Sequence, residues 1–343
     1  MTSSADPAAA GRLVVSTADY HTAGEPFRIV SGGVGPIPGA TILAKRRFAA
    51  ERLDRVRQLL VNEPRGHADM YGCFVTDPVD DGADLGVLFF HNAGYSTACG
   101  HGTIALVTWA IESGVVPAVE PETRVTVDAP SGRLETVARV EAGRVRSVRF
   151  RNVPSFVRET AIRLDTSVGP LDVDVSFGGA FYGSVPAAQA GLAVEPSVLP
   201  RLIALGREVK ALLEARGPVE HPLEPELRDV YGVIFHERLA AGPPLVHRNV
   251  TIFADGEVDR SPCGSGTSAR LALLDASGEL ARGAALEHRS IVDSVFRGRV
   301  VGGAEVAGLP AVLTEVEGSA HPTGHHTFVL DPDDPIGTGF LLR

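Results

Sequence analysis

The chain has 343 residues, 44% of them hydrophobic, and a formal net charge of −10. That length suits two domains or one large one with a sizeable core. The acidic balance argues against nucleic acid or an anionic membrane surface as partner. No run of about 18 apolar residues predicts a membrane span, and Met1–Gly11 lacks the basic and apolar regions of a signal peptide. Three cysteines make no disulfide framework, so the expectation is a reduced, cytoplasmic protein.

In chain order, Leu13-Val14-Val15-Ser16 and Phe27-Arg28-Ile29-Val30 read as strands around the polar turn His21–Pro26. Residues 40–61 carry a charged helical pattern, with Lys45, Arg46 and Arg47 as a solvated face. The loop 63–72 is dense in ionisable groups, and His67 and Asp69 are expected to bond each other. Cys73-Phe74-Val75 and residues 85–90 read as buried strands. The second runs into Cys99-Gly100-His101-Gly102-Thr103, after which 103–113 reads as a helix stopped by Gly114. Residues 123–185 are strand-rich, 197–215 form an amphipathic helix, and the prolines of 217–227 mark a loop. Cys263-Gly264-Ser265-Gly266-Thr267 then repeats the cysteine turn 164 residues on, again ahead of an Ala-rich helix. Strands over 290–302 and 311–316 follow.

The repeated Cys-Gly-x-Gly-Thr turn has a chemical logic. Glycines before a helix bare its first N–H groups, and those with the helix dipole favour an anion. A cysteine placed there has its thiolate stabilised, with a pKa that can fall to roughly 3.5–7.5. Two such turns imply internal duplication. The first half, 12–165, carries Cys99, and the second, 166–319, carries Cys263. The C-terminal segment from about 320 to 343 is a candidate to return to the first half. Two facing thiols suit two-base inversion of an α-carbon: one takes a proton and the other returns one to the opposite face. The helix N–H groups then stabilise the developing charge. No lysine in a pyridoxal-type context is evident, so no cofactor is expected, and the scattered histidines predict no metal site. Cys73, in an apolar strand, reads as core. Gly100-x-Gly102-x-x-Ala105 also fits a dinucleotide fingerprint, but without the context that reading needs.

Five stretches carry a family resemblance: His21–Arg28, Glu63–Met70, Cys99–Thr103, Gly178–Tyr182 and Asp259–Thr267. On these the chain resembles the proline racemase superfamily of proline racemases, 4-hydroxyproline 2-epimerases and trans-3-hydroxy-L-proline dehydratases. The resemblance implies a diaminopimelate-epimerase-like α/β fold, two pseudo-symmetric halves of strands around a central helix with the site between them. It implies Cys99 and Cys263 as acid–base groups, and Gly100, His101, Gly264 and Ser265 holding a carboxylate through backbone N–H groups. It implies Asp259 on the substrate's ring nitrogen, and a small-molecule substrate, with a homodimer as candidate assembly. Elsewhere the wording (Ala44–Phe48, Met70–Gly72, Gly318–His321) is most similar to the dehydratase branch, which usually has Thr where this chain has Cys263. A threonine hydroxyl is too weak a base for the second proton transfer. The thiol pair therefore favours a racemase or epimerase of proline or hydroxyproline. Trans-3-hydroxy-L-proline dehydration and non-catalytic amino-acid binding are the alternatives.

Overall fold

The computed structural model describes residues 13–342 except 241 and 243. The polar start Met1–Gly11, residue 12 and the last residue of the C-terminal segment lie outside them.

The first eight strands and three helices build one unit. Strands β1 (Leu13–Thr22) and β2 (Glu25–Gly32) pair antiparallel. Helices α1 (Ile42–Arg52) and α2 (Asp54–Val61) then cross over to β3 (Tyr71–Thr76), which is parallel to β2. The expected single pattern over 40–61 is broken at Leu53. Strand β4 (Leu85–His91) runs back along β3 and turns through β5 (Gly94–Tyr95) into α3 (Gly100–Glu112). Beyond α3, β6 (Glu122–Ala129) lies parallel to β4, and β7 (Gly132–Glu141) and β8 (Arg144–Arg151) continue antiparallel.

The same order then recurs. After β9 (Ser155–Thr166) come β10 (Gly169–Phe177) and β11 (Phe181–Pro186), an antiparallel pair. Helix α4 (Leu199–Ala215) and a small hairpin, β12 (Glu220–His221) with β13 (Glu224–Arg228), form the crossover to β14 (Val230–Ala240), parallel to β11. The hairpin stands where prolines predict only a loop. Strand β15 (Leu245–Phe253) leads through β16 (Glu257–Asp259) into α5 (Gly264–Ala276). Strand β17 (Leu286–Arg289) is parallel to β15, and β18 (Val295–Val306) and β19 (Leu309–Gly318) follow antiparallel. Each pairing of the first unit has its counterpart in the second. This is a mixed α/β fold of two pseudo-symmetric halves.

The halves exchange their last strands. Strand β9 pairs with β10, and β20 (Ala320–Leu330) returns along β1. Strand β19 also pairs with β8, joining the two sheets. The central helices are buried along nearly their whole length: from Ile104 to Ile111 α3 is apolar except for Thr108, whose hydroxyl donates to the Ile104 carbonyl. Around it pack Phe27, Ile29, Cys73, Val87, Phe89 and Val127, all fully buried, each side chain worth roughly 1.5–3 kcal/mol of burial. Cys73 is thus core, as expected. Gly114 and Gly278 end the two helices at positive φ (78° and 75°), where only glycine is free of strain.

Two of the sequence stretches hold this frame together. Arg28 is buried against Asp19 (2.8 Å) and donates to the carbonyls of Leu60 and Arg65. Arg65 clamps the C-terminal segment through Asp334 (2.9 Å) and the Gly337 carbonyl. Lys45 is not on a solvated face: it is buried, with Nζ donating to Thr76 and the Asp77 carbonyl. Arg46 reaches the Tyr95 carbonyl, and Arg47 pairs with Glu226 of the other half.

Candidate active site

Helices α3 and α5 point their N-termini at each other. A Cβ built on Gly100 would lie 2.5 Å from Gly264 Cα, and one on Gly264 would lie 2.6 Å from Gly100 Cα. No other residue allows that approach. The second glycine of each turn has a different task. A Cβ on Gly102 would lie 2.7 Å from Cys99 Sγ, and one on Gly266 2.9 Å from Cys263 Sγ. The pair of glycines therefore lets the helices meet and leaves room for a sulfur over each N-terminus. The N–H of Gly102 donates to Cys99 Sγ at 3.3 Å. The first intrahelical bonds are made by Thr103 and Thr267. The N–H groups of Gly100, His101, Gly264 and Ser265 precede them, at the ends where the two helices meet.

Cys99 and Cys263 line one narrow cavity between the halves, of about 10 Å³. All seven residues singled out in the sequence line it: Cys99, Gly100, His101, Asp259, Cys263, Gly264 and Ser265. So do Tyr71, Tyr182, Tyr231, Thr251 and Phe253. Of these, Tyr71 and Tyr182 sit within or beside stretches that the sequence marks. Tyr231, Thr251 and Phe253 carry no local signal. A larger open groove of about 620 Å³, lined by Arg46, His91, Lys210 and Asp229 among others, shares Tyr231 with the cavity.

The two thiols have unlike surroundings. Cys99 has extended backbone (φ −153°), and its sulfur lies 3.5 Å from His101 Nε2. Cys263 sits at φ 62°, a strained conformation for a residue with a side chain. It lies 3.9 Å from the Tyr182 hydroxyl, which is 2.7 Å from Ser265 Oγ. Tyr71 bonds Tyr231 across the halves (3.0 Å), and Tyr71 and Phe27 both meet the His101 ring edge-on.

Burial decides the electrostatics. The helix N-terminus leads one to expect low thiol pKa values, but the opposite holds in the closed site. Desolvation pushes Cys99 well above the usual thiol range, with the Gly102 N–H pulling against it. Desolvation and the charge of Asp259 push Cys263 up to about 12. His101 is driven down to about 3 by burial and is therefore neutral. Asp259 accepts from the N–H and hydroxyl of Ser261 (2.8 and 2.7 Å), yet desolvation still raises it to about 6. Glu25 is fully buried beside it and raised by desolvation and by Asp259. Its Oε2 accepts the Arg260 backbone N–H at 2.7 Å. The Arg260 guanidinium pairs with Asp69 instead (2.7 Å), and His67 Nδ1 is bonded to the Ala68 carbonyl. One sequence expectation changes accordingly: Asp69 is tied to Arg260 of the other half and not to His67. Glu25, from the polar turn, caps the Arg260 backbone beside the site. His21 lies against His321 and does not line the cavity.

An acidic group, two thiols and two helix N-termini are thus gathered at one cavity, a set that can transfer protons and hold an anion.

The chain is 48% identical over 330 residues to a 3-hydroxyproline 2-epimerase of Burkholderia multivorans, covering 96% of this chain and 98% of that protein. It is 47% identical, with the same coverage, to a trans-3-hydroxy-L-proline dehydratase of Burkholderia ambifaria. Among solved structures, a hydroxyproline epimerase from Agrobacterium vitis with bound trans-4-hydroxy-L-proline superposes with a TM-score of 0.90 at 34% identity, covering 96% of each chain. The model of the proline racemase family matches residues 17–341. The chain belongs to the proline racemase family.

Proposed function

We propose that this enzyme inverts the α-carbon of a free hydroxyproline, 3-hydroxyproline foremost, using Cys99 and Cys263 as its two acid–base groups and no organic cofactor. The observation that carries the reading is the pair of thiols, one from each half, lining one cavity at the meeting of two helix N-termini. One thiol acts as thiolate and takes the α-proton, and the other, as thiol, protonates the opposite face. Four backbone N–H groups hold the carboxylate while negative charge spreads onto it. Asp259 receives the ring ammonium. Burial keeps both thiols neutral, so the ammonium of the substrate is what stabilises an anionic sulfur there.

The 3-hydroxy preference rests on the relative from B. multivorans and on three tyrosine hydroxyls in the cavity wall, which offer donors and acceptors to a ring hydroxyl. Relatives that match nearly end to end are named as an epimerase, a dehydratase and a racemase, and the chain is an enzyme of their family. A reducing, cytoplasmic setting belongs to the same proposal, because the chemistry needs both thiols free.

The dehydratase reading has its own support in the 47% identity to the B. ambifaria protein. Expulsion of a 3-hydroxyl needs only one thiol to take the α-proton. Proton NMR in D2O with trans-3-hydroxy-L-proline, trans-4-hydroxy-L-proline and L-proline tests both. Deuterium at the α-carbon with cis-3-hydroxy-D-proline as product is the expected result. A cyclic imine would establish dehydration in its place.

A further inference from the structure

The strands beneath α5 present it with a polar face. Register places Thr251 opposite Ile234, Asn249 opposite His236, and His247 opposite Arg238 and beside His288. Arg270 of α5 is buried over this row, and Thr267 meets His288 Nδ1 at 2.8 Å. Many of these groups have no partner: Thr251 Oγ1, Asn249 Oδ1, both ring nitrogens of His247, His288 Nε2 and Arg270 Nε. The hydroxyls of Ser176 and Ser184, on the next two strands, are likewise buried and unpaired. The equivalent strands under α3 present Ile29, Cys73, Val87 and Phe89. The same position in the repeat is thus apolar in one half and polar in the other.

An unpaired buried polar group costs about 1–3 kcal/mol. This layer mixes donors (the guanidinium) with acceptors (the amide oxygen) and with hydroxyls and imidazoles that are both. That mixture suits water, which typically makes about three hydrogen bonds to such groups, better than an anion. The layer has two ends. At the inner one Thr251 lines the cavity with Cys263, near enough to stabilise its thiolate without forming a full hydrogen bond. At the outer one His236 is partly exposed and Arg238 exposed.

We propose that the layer beneath α5 is a hydrated proton path joining the Cys263 thiol to solvent from behind, through Thr251, Asn249 and the histidines at 236, 247 and 288. The proposal's use rests on the two-thiol reading: each inversion leaves the thiols with exchanged protonation, and the pair must be reset before the same enantiomer reacts again. The proton leaves Sγ for Thr251 Oγ1 as the threonine's own proton passes to the next water. The hydroxyl is regenerated, the thiolate remains, and a proton returning along the line restores the thiol. Cys99 has no such layer and exchanges only through the cavity.

The test follows the infrared S–H stretch on transfer to D2O, in a Cys73→Ala background. Cys99→Ser isolates Cys263, and Cys263→Ser isolates Cys99. Thr251→Val and His247→Leu are each expected to slow exchange at Cys263 at least tenfold and to leave Cys99 unchanged. His247→Gln, which keeps a donor and an acceptor, is expected to restore most of the rate. Unaltered exchange at Cys263 in both apolar variants would overturn the path, as would equal slowing at Cys99. Thr251→Val is isosteric and keeps the test alive if His247→Leu fails to fold, which circular dichroism shows. The readout needs no turnover, so absence of epimerase activity with path-dependent exchange would overturn the functional reading alone.

Discussion

Gly100 and Gly264 meet backbone to backbone, each occupying the space where a Cβ on the other would lie within about 2.6 Å of its Cα. The meeting joins the two halves at the point where the substrate carboxylate is proposed to bind. Gly100→Ala and Gly264→Ala should therefore separate the helix ends. Overpacking of this kind costs on the order of 1–3 kcal/mol. Activity should fall more than a hundredfold, with a lowered Tm. Thermal unfolding together with initial rates checks it, and an alanine variant with parental kcat would contradict it.

Replacement of either thiol should separate the two chemistries. Cys99→Ser and Cys263→Ser should each lower epimerisation by at least a thousandfold, because a hydroxyl is a far weaker base. If one variant still releases a cyclic imine from trans-3-hydroxy-L-proline, the remaining thiol performs the elimination alone. Chiral chromatography of the products distinguishes the outcomes.

The rate should climb with pH. Both thiols lie above their ordinary range in the closed site, Cys263 at about 12, so the thiolate fraction of the free enzyme grows throughout the neutral region. The logarithm of kcat/KM, which reports the free enzyme, is expected to rise by about one unit per pH unit between roughly pH 6 and 8. A plateau already present at pH 6 would show a thiolate in the resting site.

Asp259 trades stability for its place in the site. Its folded-state pKa of about 6 exceeds the ordinary carboxyl value of 3.8. The folded chain then binds more protons than the unfolded chain between those values. Its contribution is intact below pH 3.8 and lost as pH rises to about 6. Asp259→Asn should thus stabilise the protein above pH 6 by about 2–3 kcal/mol, at about 1.4 kcal/mol per pKa unit, and leave it unchanged near pH 3.5. It should also weaken substrate binding. Denaturant unfolding at the two pH values reads the first effect and KM the second. Equal stability at both would refute the assignment.

Acid should unfold the protein by way of His101. Burial holds this imidazole down to about 3 against an ordinary 6.5. Its contribution is present above pH 6.5 and lost as pH falls toward 3, because the unfolded chain takes up the proton first. His101→Gln should move the acid unfolding midpoint to lower pH. A midpoint that stays in place would assign acid lability to the other buried histidines.

The sequence by itself determined the repeat and its chemistry. Cys-Gly-x-Gly-Thr is a local pattern whose glycines, cysteine and following helix are neighbours in the chain. The seven residues drawn from the two turns and from Asp259 all line the cavity for that reason. Strand and helix positions were legible where apolar runs are long, as at 85–90 and 197–215. The structure alone decided what depends on residues far apart. Tyr231, Thr251 and Phe253 enter the cavity because β14 and β15 bring them there, and no spacing announces it. Lys45 reads as a surface group and Asp69 as the partner of His67, yet packing from other elements buries both and supplies partners more than 30 residues away. The thiol pKa values turned the same way: a helix N-terminus lowers them locally, but closure of two halves removes water, and desolvation is the larger effect.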